Sequence, residues 1–191
     1  TNNTIAQKIP ITASTGGIEQ PVWDPATGKF YVSIPQENNT GAGAIIAIDP
    51  LSGSVTHTFD LAALGIGSCG PTGLALGGGH LMIACGNAGT QAILFDPTGN
   101  GGNGKVLNTY SQVSGSDEAW FDPTSNLFFV TGASNPGGPI LGIINGTTGA
   151  FDQSLVTSPG AHSVAVDPIS GQVFVPFGGV TGNTVCPTTG C

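Results

Sequence analysis

The 191-residue sequence has no arginine and only three lysines, Lys8, Lys29 and Lys105, against 11 acidic residues, for a net charge of -8. A protein that grips nucleic acid needs a basic stripe to displace counterions from phosphates, so no nucleic-acid partner is expected. Charged residues of both signs make up 7% of the chain, against roughly 25% in an ordinary soluble domain. Solubility must then rest on Ser, Thr, Asn, Gln and the backbone. No run approaches the roughly 18 consecutive apolar residues of a membrane-crossing helix, and no basic amphipathic stretch offers a surface anchor, so no membrane insertion is expected. Helical patterning is lacking too. The one candidate, Asp60 to Leu64, is cut short by Gly65 and Gly67 and reads as a turn. The chain also starts without a leader, as a mature or trimmed product would.

Glycine and proline are abundant, at 32 and 14 residues, and the segments between them are apolar and β-branched. Gly and Pro therefore read as turns between strands rather than as signs of disorder. Aligning the chain with itself exposes a period of about 45 to 49 residues, the length of one four-stranded β-repeat. One half of the unit reads Val22-Trp23-Asp24-Pro25-Ala26-Thr27-Gly28-Lys29-Phe30-Tyr31-Val32. It recurs from Glu118 to Val130 around Asp122-Pro123 and from His162 to Val175 around Asp167-Pro168, with a degenerate copy from Pro71 to Ile83. The other half appears around Asp49-Pro50, Asp96-Pro97 and Asn145-Gly146. Each half predicts a hairpin, because Asp accepts a backbone hydrogen bond at the turn, Pro fixes φ, and Gly or Asn takes the positive-φ position.

Two hairpins make a four-stranded antiparallel meander, and stacking such meanders covers both faces of their apolar middle strands. The expected fold is all-β: a β-propeller with about four blades in the chain, belonging to a six- or seven-bladed ring. The expected divisions are an outer strand of a preceding or closing blade at 1–12, blades at 16–62, 66–113 and 114–158, and an incomplete blade at 159–191. A β-sandwich would not repeat at blade length with the same turn chemistry. The last unit is either part of a longer ring or is completed elsewhere, by the N-terminal strand or by a strand from a second copy added to an open edge. The last alternative implies a homo-oligomer or polymer.

The cysteines form two close pairs, Cys69 with Cys85 and Cys186 with Cys191, although three connectivities are possible in principle. Local closure would place the protein in an oxidising compartment, secreted, extracellular or periplasmic. Neither pair has the spacing or flanking His of a zinc knuckle. The sequons at Asn2, Asn38 and Asn145 fall in expected loops and agree with that compartment without establishing a glycan.

The blade pattern resembles the secreted bacterial and fungal propellers with YVTN or NHL-type repeats, distant relatives of the gluconolactonase (regucalcin-like) and streptogramin-lyase propellers. The likeness covers the whole chain and rests mainly on the Asp-Pro-x-Ser/Thr-Gly hairpin, which specifies fold rather than activity. Five aspartates, Asp24, Asp49, Asp96, Asp122 and Asp167, have structural work in turns. Glu19, Asp117, Glu118 and His162 instead open the first strands of their blades, the innermost strands of a propeller, and are expected to rim a central channel. Such a set could hold a divalent cation, with oxygen ligands favouring Ca²⁺ or Mg²⁺ and the imidazole favouring Zn²⁺ or Mn²⁺. The gluconolactonase resemblance implies a metal at this mouth, although the second blade offers only Ser68-Cys69-Gly70 there. His162, in Pro159-Gly160-Ala161-His162, also resembles the streptogramin-lyase histidine, which implies a general base. The competing reading is a rim that is polar because water fills it.

Other motifs carry less. Gly99-Asn100-Gly101-Gly102-Asn103-Gly104-Lys105 approaches a phosphate loop, but Val106 replaces the Mg²⁺-binding hydroxyl and a strand is expected to follow. No nucleophile elbow occurs, and His57 and His80 read as surface residues. The function expected is a non-catalytic extracellular binding or structural module that self-associates through open strand edges; the alternative is a metal-dependent, lactonase-like hydrolase or lyase with its site at the mouth of the central channel.

Overall fold

A computed structural model describes residues 4, 5 and 7–177. It contains three four-stranded antiparallel meanders and a two-stranded sheet, in chain order. The first blade is β1 (Pro21–Asp24), β2 (Lys29–Ile34), β3 (Ala44–Asp49) and β4 (Ser54–Asp60). The second is β5 (Pro71–Gly77), β6 (His80–Cys85), β7 (Ala92–Asp96) and β8 (Lys105–Tyr110). The third is β9 (Ala119–Asp122), β10 (Leu127–Gly132), β11 (Ile140–Asn145) and β12 (Phe151–Val156). The fourth unit is the hairpin β13 (Ala165–Val166) and β14 (Val173–Phe174). The inner strands β1, β5, β9 and β13 lie beside one another from blade to blade, which is the radial arrangement of a propeller.

The turns form as their chemistry requires. Asp24 accepts from the Ala26 N–H at 2.9 Å and the Thr27 hydroxyl at 2.7 Å, and Gly28 closes the turn at φ 66°. Asp122 accepts from the Thr124 N–H at 3.0 Å and the Ser125 hydroxyl at 2.6 Å, with Asn126 at φ 56°. The Ser125 hydroxyl and then the Thr124 N–H hold the Asp122 carboxyl below its ordinary range, and Ser170 followed by the Ile169 N–H do the same for Asp167. Because these folded-state values are depressed, the carboxylates contribute stability above the unfolded-state pKa and lose it as pH falls through the folded one. Asn145 makes the same turn with an amide, accepting from the Thr147 and Thr148 N–H groups, so the geometry needs no charge. Asp122→Asn should therefore fold normally and lose less stability than wild type between pH 7 and pH 3 in urea titrations. Parallel losses would mean that Asp122 carries no folded-state stabilisation of its anion.

Alternation along the strands sends apolar side chains to both faces. In the first blade Tyr31 and Ala47 face the second blade, while their neighbours Phe30, Val32, Ile46 and Ile48 face away from it. Tyr31, Ile45 and Phe59 pack with Leu81, Ile83, Ile93 and Phe95 of the second blade. Met82, Leu94 and Tyr110 on its other side pack with Phe128, Val130 and Ile144 of the third. Phe129, Leu141 and Ile143 then pack with Val164 and Val166. This two-sided burial is why β3, β7 and β11 read as continuous apolar runs. Each blade also carries a register shift at the same place between its third and fourth strands, at Ala47/Ile48, Leu94/Phe95 and Ile143/Ile144.

One expectation differs from the structure. The described part of segment 1–12 forms no strand. It lies along the first blade's outward face, where Ile5, Gln7 and Ile9 line a gap with Phe30, Val32 and Ile48, and the Gln7 side-chain amide donates to the Gly53 carbonyl at 3.0 Å. The apolar face, rather than a strand edge, holds it. The one short turn at Gly99–Gly102 has Asn100 at φ 52° and Gly101 at φ 67°, outside the α-helical region, so the described residues are nearly all-β, as expected. No helix among the described residues is long and apolar enough to cross a membrane.

Candidate functional site

The register fixes which residues occupy equivalent positions at the inner rim. Pro21 pairs with Val32, Leu74 with Ile83 and Ala119 with Val130, so these three occupy equivalent positions along the inner strands, and Val164, just before β13, is their counterpart in the fourth unit. One residue earlier stand Gln20, Gly73, Glu118 and Ser163; two earlier stand Glu19, Thr72, Asp117 and His162. The second blade's rim residue is therefore Thr72, a correction to the expected Ser68-Cys69-Gly70.

The residue just before the inner strand clamps one blade to the next. Gln20 Oε1 accepts from the Leu74 N–H at 3.0 Å, and Glu118 Oε2 accepts from the Val164 N–H at 3.0 Å. The second blade has glycine at this position because a Cβ on Gly73 would come within 2.7 Å of backbone atoms of Asp117, Glu118 and Ala119. Thr72 takes over there, donating to the Ser116 carbonyl at 2.8 Å. Thr131 reinforces the next junction by donating to the His162 carbonyl at 2.9 Å. Gln20, Thr72 and Thr131 were missed by sequence reasoning. Gln20 and Glu118 carry a usable signal, since each precedes the turn aspartate by the same interval.

Of the four rim candidates, Asp117 and His162 meet: Asp117 Oδ2 lies 2.8 Å from His162 Nδ1, with the side chains 48% and 58% exposed. The Ser163 hydroxyl lies 3.5 Å from the same nitrogen, so it is placed to support the ring rather than to be activated by the other nitrogen. Glu118 is turned to the Val164 N–H, and Glu19 lies on the first blade, separated from Asp117 by the Thr72 position. Of the expected cation set of Glu19, Asp117, Glu118 and His162, the structure brings Asp117 and His162 into contact, and among the described residues no three His, Cys, Asp or Glu side chains group as metal ligands. The physical reason is that one carboxylate is committed to a backbone donor and the others are spread over different blades. Beside the Asp117–His162 pair, Glu118 and Ser163 border an open pocket of about 600 Å³ whose other walls include Trp120, Phe174 and Pro176.

The Cys69–Cys85 disulfide is present and buried, tying the approach to β5 to the end of β6. Cys186, Cys191 and Asn2 lie outside the described residues. Asn38 is exposed at φ 50° in a loop, and Asn145 holds the β11–β12 turn through its side-chain oxygen. His80 begins β6 and, like His57, is only partly exposed; His57 stacks on Phe59 at 4.3 Å.

No protein-family model matches the sequence, and a search of curated proteins found no relative. Solved structures do match in fold. Hydrazine synthase of Kuenenia stuttgartiensis superposes with a TM-score of 0.62 at 14% identity over 80% of this chain and 41% of its own. A Bacteroides fragilis protein assigned as a 6-phosphogluconolactonase gives 0.60 at 13% identity over 83% and 47%. The WD40 repeats of RRP9 give 0.54 at 16% identity over 78% and 40%. The chain thus spans less than half the length of these structures, and at such identities what they share with it is the fold: this is a run of β-propeller blades.

Proposed function

We propose that the chain is a non-catalytic binding module of a secreted protein and that the outward face of its first blade receives another propeller blade, supplied by a second copy. One observation carries this reading. Phe30 is 38% exposed and stacks on Trp23, itself 42% exposed, at 4.9 Å. Phe128, at the same place in the third blade, pairs in the same register with Phe121 and Ile144 and is fully buried against the preceding blade. The first blade's face thus has the composition of a blade-docking surface, and among the described residues the cover it has is the thin segment around Ile5 to Ile11. Gaps of about 190 and 550 Å³ remain beneath that segment. The sparse charge favours such a contact, because few ionic groups must be desolvated. The buried disulfide supports an extracellular setting.

Light scattering after gel filtration should show a dimer or larger species that dissociates on dilution, and Trp23→Asp with Phe30→Asp should leave a folded monomer. A wild type that is monomeric at every concentration would remove the proposal.

A second reading, a hydrolase or lyase, draws on the Asp117–His162 pair. An imidazole bonded through Nδ1 to a carboxylate keeps Nε2 for proton transfer, and the adjoining pocket could seat a small ester or lactone. His162→Ala would then abolish turnover on a lactone panel; absence of turnover in the wild type excludes this reading.

A further inference from the structure

We propose that the groove between the first and second blades binds a neutral sugar ring. The groove holds about 310 Å³, the small end of the roughly 300–1,000 Å³ typical of small-ligand pockets. It lies on the outer part of the blade junction, away from the rim and from the face assigned above to a second copy, and does not depend on that assembly.

Two independent features single it out. The first is the β7–β8 connection, which runs over residues 97–104, whereas the corresponding turns occupy 50–53 and 146–150. An insertion confined to one repeat is where solenoids and propellers commonly place a binding loop. Pro97, Thr98 and Gly102 of this connection form one wall of the groove. The loop is seated rather than free: Gly104, at φ 83°, approaches so closely that a Cβ would fall 2.4 Å from Phe95 and 2.7 Å from Phe59. The glycine-rich motif that failed as a phosphate loop thereby acquires a position and a use.

The second is the direction of the hydroxyls. Thr27 donates to Asp24 Oδ2 at 2.7 Å, Thr98 to Asp96 Oδ1 at 2.8 Å, and Thr56 to the Ala47 carbonyl at 3.2 Å. Each hydroxyl hydrogen is used within the protein, and although Thr27 accepts from the Tyr31 hydroxyl at 3.3 Å and Thr56 from Lys29 at 3.2 Å, each of the three keeps at least one lone pair for an incoming group. The Lys29 ammonium, which donates to Thr56 at 3.2 Å, supplies further N–H donors, and the His57–Phe59 stack supplies an apolar wall. Several acceptors, one multiple donor and an aromatic surface match a polyhydroxylated ring, whose hydroxyls donate and accept while its C–H face packs on the wall. An anionic ligand fits worse, because the Asp24 and Asp96 carboxylates stand directly behind two of the three threonines.

The test is saturation-transfer NMR and titration with the methyl glycosides of glucose, galactose, mannose and N-acetylglucosamine, with glucuronate as the charged comparison. At least one neutral glycoside should bind with Kd between about 0.1 and 10 mM. Thr56→Val and Lys29→Ala should each weaken it about 2- to 10-fold, the loss of one net hydrogen bond. Removing residues 100–103 should abolish binding, and Ile169→Ala, on the exposed turn of the fourth unit, should not change it. Thermal melts identify any variant that is unfolded, and the two point variants keep the test decisive if the shortened loop is. No binding by any glycoside at about 10 mM, tighter binding of glucuronate, or affinity unchanged in both point variants would each overturn the proposal.

Discussion

Phe128→Ala should lower stability by about 3–5 kcal/mol, a large part of the roughly 5–15 kcal/mol that holds a domain of this size together. Phe128 is fully buried at the junction of the second and third blades, stacks on Phe121 at 4.7 Å and sits among Met82, Leu94 and Tyr110. The cavity would be bounded by two sheets whose backbones are fixed by their own ladders, so it cannot collapse cheaply. Phe30→Ala, the same change at the same blade position of the first blade, should cost only about 1 kcal/mol in the monomer because that ring is already partly solvated. The urea midpoints of the two variants check this directly. Equal costs would mean that the first blade's face is as well sealed as the internal junctions, contrary to the role proposed for it.

Loss of the Cys69–Cys85 bridge ranks next. The bond closes a loop across a sequence separation of 16, for which chain entropy gives about 3 kcal/mol. Its surroundings add to this. The Cys69 N–H donates to the Gly41 carbonyl at 3.2 Å, and Asn87, just after β6, donates from its side chain to the same carbonyl at 2.9 Å, so the bridged loop also ties the second blade to the first. The Cys69→Ser, Cys85→Ser double variant should melt well below wild type, and reductant should lower the wild-type melting temperature to the same level. Melting unaffected by reductant, in protein whose thiols alkylate afterwards, would contradict the structural role of the bond.

Most of the fold was legible because the turn chemistry repeats. Aspartate followed by proline and then Gly or Asn marks the same hairpins in the first, third and fourth units, and the side-chain bonds of Asp24, Asp122 and Asp167 show why. The second blade concealed its register because it replaces that turn with Gly77-Gly78-Gly79. There Gly77 pairs with His80, and its Cβ would lie 2.3 Å from the Phe121 ring. A bulky side chain on one blade thus dictates a glycine in its neighbour, a non-local cause that turn propensities do not register. The same obscurity displaced the expected rim residue to Ser68–Gly70 in place of Thr72.

The rim was legible as a place but not as chemistry. Position within the repeat places Asp117 and His162 at equivalent points of neighbouring blades, where they meet, whereas the Glu118 carboxylate turns sideways to the next blade's N–H, an orientation that repeat position does not reveal. The groove at His57 gave little signal, since its walls come from strands of one blade and a turn of another.

The account rests on blades stacked in sequence, each inner strand clamped to the next by the residue before it. Amide hydrogen exchange followed by NMR tests this most directly. Gln20→Ala should accelerate exchange at Leu74 and leave Val164 unchanged, and Glu118→Ala should accelerate Val164 and leave Leu74 unchanged. If neither amide responds to its own partner, or if each responds to the other's, the blades do not pack in this order.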